Sequence, residues 1–283
     1  MSIPAQSIQH LGRIPFFHHK TTSSLTLCFI PGFRSSFQAS LKSDHLFRWS
    51  QQHNIGFLTW DHDEETSIQD WCQQGQDIII SQLLSPLTKQ TTQNDTRPSK
   101  QRILFVGASL GTWLAIRIAH GLMIHDNNSK ALTVQGLIGI GGAADTTEKW
   151  LQELQDNNAT ATQILLEGGS IWRRPSKYAT HGYYDIPISF LEASRPSLLF
   201  TQNNDIAEIP YPVHLIHGAL DHDVTLASAQ RLLAWIRFRQ SSSLITPATA
   251  DLHLVKDGDH RLSRPQDLGL LDKVLITCTE DGY

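Results

Sequence analysis

The sequence has few cysteines, no long apolar run and no basic block. Its three cysteines, Cys28, Cys72 and Cys278, lie far apart and form no Cys-x-x-Cys pair. That argues against a disulfide framework and fits reduced thiols in a cytosol-like compartment. No apolar run approaches the ~18–20 residues that cross a bilayer, so no transmembrane segment is expected. The first residues, "MSIPAQSIQHLGRIPFFHHKTT", lack a continuous apolar core, a small-residue cleavage pattern and arginine enrichment. Neither a signal peptide nor a transit peptide is expected there, and a cytoplasmic location follows. Net charge is −4 and the pI is near 6.4. Without clustered Lys and Arg, nucleic acid is not an expected partner. Nothing in the sequence sets an oligomeric state.

What remains is a chain of 283 residues, 40% hydrophobic and 18% charged, enough for a large core in one domain. Short apolar runs alternate with longer stretches of helical spacing. "LTLCFI" (Leu25–Ile30), "IGFLTW" (Ile55–Trp60), "RILFVG" and "LTVQGLIGIGG" (Leu132–Gly142) read as strands. Between them, "SSFQASLKSDHLFRWSQQHN", "SIQDWCQQGQDIIISQLL" (Ser67–Leu84) and "SLGTWLAIRIAHGLMI" read as helices. The polar stretch Thr88–Lys100 reads as a surface loop. This order predicts a doubly wound, mostly parallel α/β sheet. From about residue 144 to 210 the alternation stops, in a segment rich in aromatics, Gly and Pro that reads as an insertion with its own short helices. It then resumes with "YPVHLIHG", "LASAQRLLAWIRF", "DLHLVKD" and a last helix near Leu268–Cys278. One domain, 1–283, with a helical lid over about 144–210, is the expected organisation.

The strand "RILFVG" runs into "GASLGTW", a Gly-x-Ser-x-Gly turn followed by a helix. Three fixed residues are a weak pattern, so the context decides. In a doubly wound sheet, sites form at the carboxyl ends of strands. The turn after "HLIHG" offers Asp221 and Asp223, and the turn after "DLHLVKD" offers His260. His-Gly-x-x-Asp-x-x-Val favours Asp221 as the acid, with Asp223 as the alternative. Of 14 histidines, His260 alone follows the last strand in a Gly-Asp-His turn. A serine needs an imidazole to take its proton, and the imidazole needs a carboxylate to fix its tautomer. The order Ser109, Asp221, His260 supplies that set. The Leu110 amide, next to the nucleophile, is one expected oxyanion donor. In "FIPGFRSS", Pro31 cannot donate, and Phe33 is the expected second donor.

"GASLGTW", "IHGALDHDVT" and "KDGDHRL" resemble the three catalytic segments of α/β-hydrolases. Within them, "IWRRPSKYATHGYYDIPISFLEA" resembles the lid of the mitochondrial palmitoyl-protein thioesterase and acyl-glucuronide esterase family. The resemblance runs from about Gln9 to Lys273 and includes "FIPGFRSS" and "GGAADTTEKW". It implies an α/β-hydrolase fold and hydrolysis of acyl thioesters or activated esters, on small molecules or acylated proteins, by Ser109, Asp221 and His260. No cofactor and no metal are implied. The chain departs from the family in that no presequence is expected in its first residues, in carrying "DHDEETS" where a small Gly-rich turn is usual, and at Arg173–Arg174.

Plainer roles stand beside these. Trp172, Tyr178, Tyr183, Tyr184 and Phe190 can line an acyl pocket or tie the lid to the core. Arg173 and Arg174 suit a solvated lid face, with recognition of a substrate carboxylate as the alternative. His214 and His217 suit packing in a strand. His62, beside Asp61, Asp63, Glu64 and Glu65, suits a charged surface loop with helix-capping acids, because no second pair with metal spacing accompanies it. Two other functions fit the same residues: a carboxylesterase of small oxygen esters, and a hydrolase-fold protein that binds a ligand without catalysis.

Overall fold

A computed structural model describes residues 3–84, 100–125, 130–156, 164–166, 169–202, 204–241 and 248–280. The chain opens on a hairpin, β1 (Gln9–Leu11) and β2 (Ile14–His19), turned at Gly12, where φ is 61°. Next comes β3 (Leu25–Ile30), buried at every position, as an apolar run covered on both faces should be. Helix α1 (Leu41–Gln52) is capped by the Ser40 side chain, and leads to β4 (Gly56–Trp60). Helix α2 (Ile68–Ile79) starts in a reciprocal capping box between Ser67 and Asp70, and a wider π-type turn, Ile80–Leu84, extends it. Strand β5 (Gln101–Ala108), helix α3 (Gly111–Ile124) and strand β6 (Leu132–Ile140) follow. The predicted loop Thr88–Lys100 lies outside the described residues, apart from Lys100.

The insertion then holds α4 (Thr146–Asp156), β7 (Ile164–Leu166), β8 (Ile171–Pro175), β9 (Tyr183–Pro187) and α5 (Ile188–Ala193). The doubly wound part closes with β10 (Val213–Gly218), α6 (Leu226–Ser241), β11 (Ala250–Val255) and α7 (Pro265–Glu280).

The main sheet has the order β1-β2-β4-β3-β5-β6-β10-β11. From β4 to β11 all neighbours are parallel, and β1 and β2 join antiparallel at one edge. The order reverses at β3, which has β4 on one side and β5 on the other. Crevices at such switch points are where doubly wound sheets bind ligands. One face of the sheet packs on α1 and α7 through Phe47, Trp49, Leu271 and Leu275. The other packs on α2, α3 and α6 through Trp71, Trp113, Ile118 and Leu232.

The insertion departs from the helical expectation. Between its two helices stands an antiparallel sheet, β7-β8-β9. Trp172 pairs with Ile186, both buried, while the next pair is Arg173 with Asp185. The strands are short, and Arg, Asp and Pro on the outward positions obscure their alternation. The N-terminal hairpin was likewise not anticipated, since β1 is exposed at all three positions and shows no apolar pattern.

Candidate functional site

Strand β5 ends at Ala108 and α3 begins at Gly111, so Ser109 must turn the chain almost at once. It does so at φ 52°, a left-handed conformation that costs a non-glycine residue about 1–3 kcal/mol. Its surroundings hold it there. The Ser109 amide donates to the Ile140 carbonyl at 2.8 Å. The Ser109 carbonyl accepts from Thr112 at 3.0 Å and from Ala143 at 3.1 Å. Two glycines make the turn possible. A Cβ on Gly107 would lie 2.5 Å from the Gly111 carbonyl oxygen, and one on Gly111 would lie 2.2 Å from that of Ile30.

Asp221 and His260 reach the same sheet edge from the loops after β10 and β11. His260 Nδ1 lies 2.7 Å from Asp221 Oδ2. A carboxylate accepts, so Nδ1 carries the proton and Nε2 is left as the free base. The Asp221 Oδ1 atom accepts from the amides of Asp223 and Val224, each at 2.9 Å. Burial alone would push this carboxyl up. The His260 bond and charge, with the two amides, outweigh burial and hold Asp221 below the usual carboxylate range. His260 also packs on Gly141 at the end of β6, where a Cβ would lie 3.3 Å from Nδ1. Ser109 and His260 therefore flank the same strand end. Asp223, the alternative acid, points elsewhere: it accepts from the Tyr178 hydroxyl at 2.7 Å and pairs with Lys177 at 3.2 Å.

The loop after β3 passes directly against the serine. A Cβ on Gly32 would lie 3.3 Å from Ser109 Cβ. Among the described residues, neither the Phe33 amide nor the Leu110 amide has a hydrogen-bond acceptor. Leu110 stands at the start of α3, where backbone N–H groups and the helix dipole favour negative charge. A hydroxyl, a free imidazole nitrogen and two unengaged amides at one edge can carry out acyl transfer.

The five predicted pocket residues divide, with Tyr184 edge-on to the Phe33 ring at 5.6 Å. The Phe190 ring packs on Phe33 at 5.9 Å and on Trp71 at 5.3 Å. Tyr178 lies 5.8 Å from the His260 ring. Trp172 is buried inside the insertion near Arg174, and Tyr183 lies under the Arg173 guanidinium at 4.1 Å. Neither arginine is a free cation. Arg173 grips Asp185 at 2.8 and 3.0 Å, and Arg174 reaches Glu153 at 3.3 Å. Residues the sequence did not single out for the site also enter it. Trp150 packs edge-on to Phe33 at 5.0 Å, and Arg34 donates to the Asp185 carbonyl at 2.6 Å. Helical spacing marks Trp71 and Trp150 only as buried, and carries no sign that α2 and α4 converge on one loop. A narrow cleft lined by Phe33, Trp71, Ile186 and Phe190 has an open volume of about 10 Å³, roughly one water.

The Asp61–Ser67 segment is a loop with no fully buried residue, as expected, but two of its side chains have inward partners. Glu64 and Glu65 are exposed, but His62 stacks on Trp71, and Asp61 accepts from the Ser36 hydroxyl and the Phe37 amide. The cap of α2 is Ser67 with Asp70, not these acids. His214 bonds His253 at 3.2 Å, whereas His217 is buried with its Nε2 3.9 Å from Asp221 Oδ2. Among the described residues no group of three or more His, Cys, Asp or Glu is placed to hold a metal ion, and no helix is long and apolar enough to cross a membrane.

No family model matches the chain. Over 179 residues, 63% of this chain, it is 32% identical to the mitochondrial palmitoyl-protein thioesterase ABHD10 of Mus musculus. It is 28% identical over 169 residues, 59% of this chain, to the protein of the same name from Homo sapiens. The matches cover 50% and 47% of those proteins, so the chain spans about half the length of the curated relatives it matches. Among solved structures, a putative hydrolase from Agrobacterium vitis S4 superposes with a TM-score of 0.69 at 20% identity, over 96% of both chains. Mouse alpha/beta hydrolase domain-containing protein 10 gives 0.68 at 23% identity, over 98% of this chain and 100% of that one. The chain has the α/β-hydrolase fold.

Proposed function

We propose that the chain is a serine hydrolase that cleaves acyl esters or thioesters through an acyl-serine intermediate. The observation that carries this is one sheet edge: Ser109 on a left-handed turn, with the Asp221–His260 pair beside the end of β6. In this reading Ser109 Oγ attacks the acyl carbon while His260 Nε2 takes its proton. Asp221 holds the imidazole tautomer and steadies the imidazolium. The Phe33 and Leu110 amides receive the oxyanion. Collapse expels the thiol or alcohol, protonated by His260, and leaves the acyl-serine. Water, deprotonated by His260, then attacks and regenerates Ser109.

The segment from about 144 to 210 serves as a lid on a single hydrolase domain. Phe190 and Tyr178 are the pocket residues best supported, by their contacts with Phe33 and His260. Trp172 and Tyr183, packed against arginines of the insertion, hold the lid together. The relatives named palmitoyl-protein thioesterase favour a long-chain acyl thioester, on a small molecule or a protein, over a small oxygen ester. The chemistry calls on no cofactor. Buried Cys28 and Cys72, neither in a disulfide, suit a reducing compartment, and the cytoplasm is the location proposed.

Ser109→Ala is expected to abolish turnover of a p-nitrophenyl ester and labelling by a fluorophosphonate while the protein stays folded. Activity retained in that variant removes Ser109 as the nucleophile. Matched acyl thioesters and oxygen esters of rising chain length then separate a thioesterase from a small-ester carboxylesterase. Absence of both labelling and turnover in the unaltered chain leaves only a binding protein.

A further inference from the structure

After β4 the chain turns through Asp61, His62 and Asp63. That turn grips the loop that presents the Phe33 amide. We propose that His62 is a positioning residue, whose Nε2–H holds the Pro31 carbonyl and so aims the Phe33 amide at the oxyanion. The inference rests on the hydrolase reading above and deepens it.

His62 Nε2 lies 3.1 Å from the Pro31 carbonyl oxygen. A carbonyl only accepts, so the proton is on Nε2 and Nδ1 is bare. Nδ1 is buried and has no partner among the described residues. A bare ring nitrogen kept dry is a cost to folding, so the ring is not retained for its polarity alone. Its orientation is held by stacking on Trp71, with centroids 4.8 Å apart and planes 14° from parallel. Trp71 is itself fixed, as its Nε1–H donates to the Asp63 carbonyl at 2.6 Å. One residue earlier in the turn, the Asp61 carboxylate accepts from the Ser36 hydroxyl at 2.8 Å and the Phe37 amide at 2.7 Å. The segment from Pro31 to Phe37 is thus held at both ends by the same turn.

Between those holds lies Gly32, the most freely rotating residue of the loop, against Ser109. The Pro31 carbonyl also faces α3, where a Cβ on Gly111 would lie 2.7 Å from its oxygen. With that carbonyl pinned between His62 and α3, rotation about Gly32 is all that can re-aim the Phe33 amide. Phe33's ring, wedged between Trp71, Trp150, Tyr184 and Phe190, limits that rotation from the other side. Burial lowers the His62 pKa to about 4, so the ring stays neutral across the neutral range.

His62→Phe keeps a ring to stack on Trp71 and removes the donor, while His62→Gln returns an N–H at similar reach. With p-nitrophenyl ester, kcat is expected to fall on the order of 10²-fold in His62→Phe, the scale of a misaimed donor, with KM little changed. An alkyl boronic acid, which adds to the serine as a tetrahedral mimic, should lose affinity by the same factor. His62→Gln should recover most of both. Unchanged kcat and boronate affinity in His62→Phe, an equal loss in His62→Gln, or a loss confined to KM each overturns the role. If His62→Phe does not fold, His62→Met fills the space without a donor and is read in the same way. Fluorophosphonate labelling and turnover of the unaltered chain come first. Their absence overturns the hydrolase reading and this inference with it, whereas full activity in His62→Phe overturns only the inference.

Discussion

Two residues apart in one turn, Asp221 and Asp223 have side chains in different surroundings. The Asp221 side chain is fully buried and takes three hydrogen bonds, one of them from His260. Asp223 is partly exposed and faces Lys177 and Tyr178. Asp221→Asn is therefore expected to lower kcat on the order of 10⁴-fold, because an amide can donate to Nδ1 and favour the wrong tautomer. Asp223→Asn should keep kcat within about fivefold, the scale of an exposed charge contact. Steady-state rates of the two variants check this, and a reversed order would exchange their roles. Both carboxylates were legible in "HGALDHDVT" because each follows a buried apolar strand that places it at the sheet edge. Only the direction of each side chain tells them apart, and a turn pattern does not encode that. Ser109 and His260 were legible for the same reason. The role argued for His62 was not, since its partner carbonyl lies 31 residues away.

At the scale of elements, the insertion is held firmly at its base and lightly at its tip. The Asp145 carboxylate accepts from the Leu199 and Phe200 amides, at 2.6 and 2.8 Å, and so ties its entering chain to its leaving chain. Helix α3 adds Trp113 Nε1–H and the Arg117 guanidinium, both donating to the Ser197 carbonyl at 2.8 Å. The outer turn, Ser176–Gly182, meets the main domain through the Tyr178 hydroxyl and Lys177, both on Asp223, and through the Tyr178 ring against His260 and Arg261. The cleft beside Phe33 holds about 10 Å³, roughly one water, and of the insertion's two holds the tip is the weaker. Tyr178→Phe removes one hydrogen bond worth about 0.5–1.5 kcal/mol, so trypsin should cut at Lys177 roughly two- to tenfold faster. Mass spectrometry of the timed digest reads this, and an unchanged rate would show that Tyr178 does not hold the tip. Little of this was legible in advance. Strands β8 and β9 carry charge and proline on their outward positions, and the bonds at base and tip join residues far apart in sequence.

Across the whole molecule, the sheet and its two helical layers bury imidazoles as well as apolar side chains, and that sets how the fold responds to acid. Burial lowers His18 and His62 to about 4 from an ordinary 6.5, despite bonds to Gln82 and Pro31 that oppose it. Burial also lowers His120, His214 and His217. These rings are neutral in the fold, while the unfolded chain takes up protons as pH drops through 6.5. The unfolded state then holds more protons, so stability falls as pH drops from about 6.5 to about 4 and then levels for His18 and His62. Asp61 and Asp145 act in the opposite sense. Burial raises them, so their protonation favours the fold and softens the slope just above the ordinary carboxylate value of 3.8. Asp221, held low, costs stability only as pH falls below that value. Thermal midpoints are therefore expected to hold near neutrality and to decline from about pH 6.5, well before the carboxylates titrate. Each such histidine contributes at most about 1.4 kcal/mol per pH unit. His62→Phe should flatten the decline by up to one proton's worth, whatever it does to turnover. Melts of both proteins at closely spaced pH values test this, and a variant as steep as the unaltered chain would mean that His62 is protonated as readily in the fold as out of it.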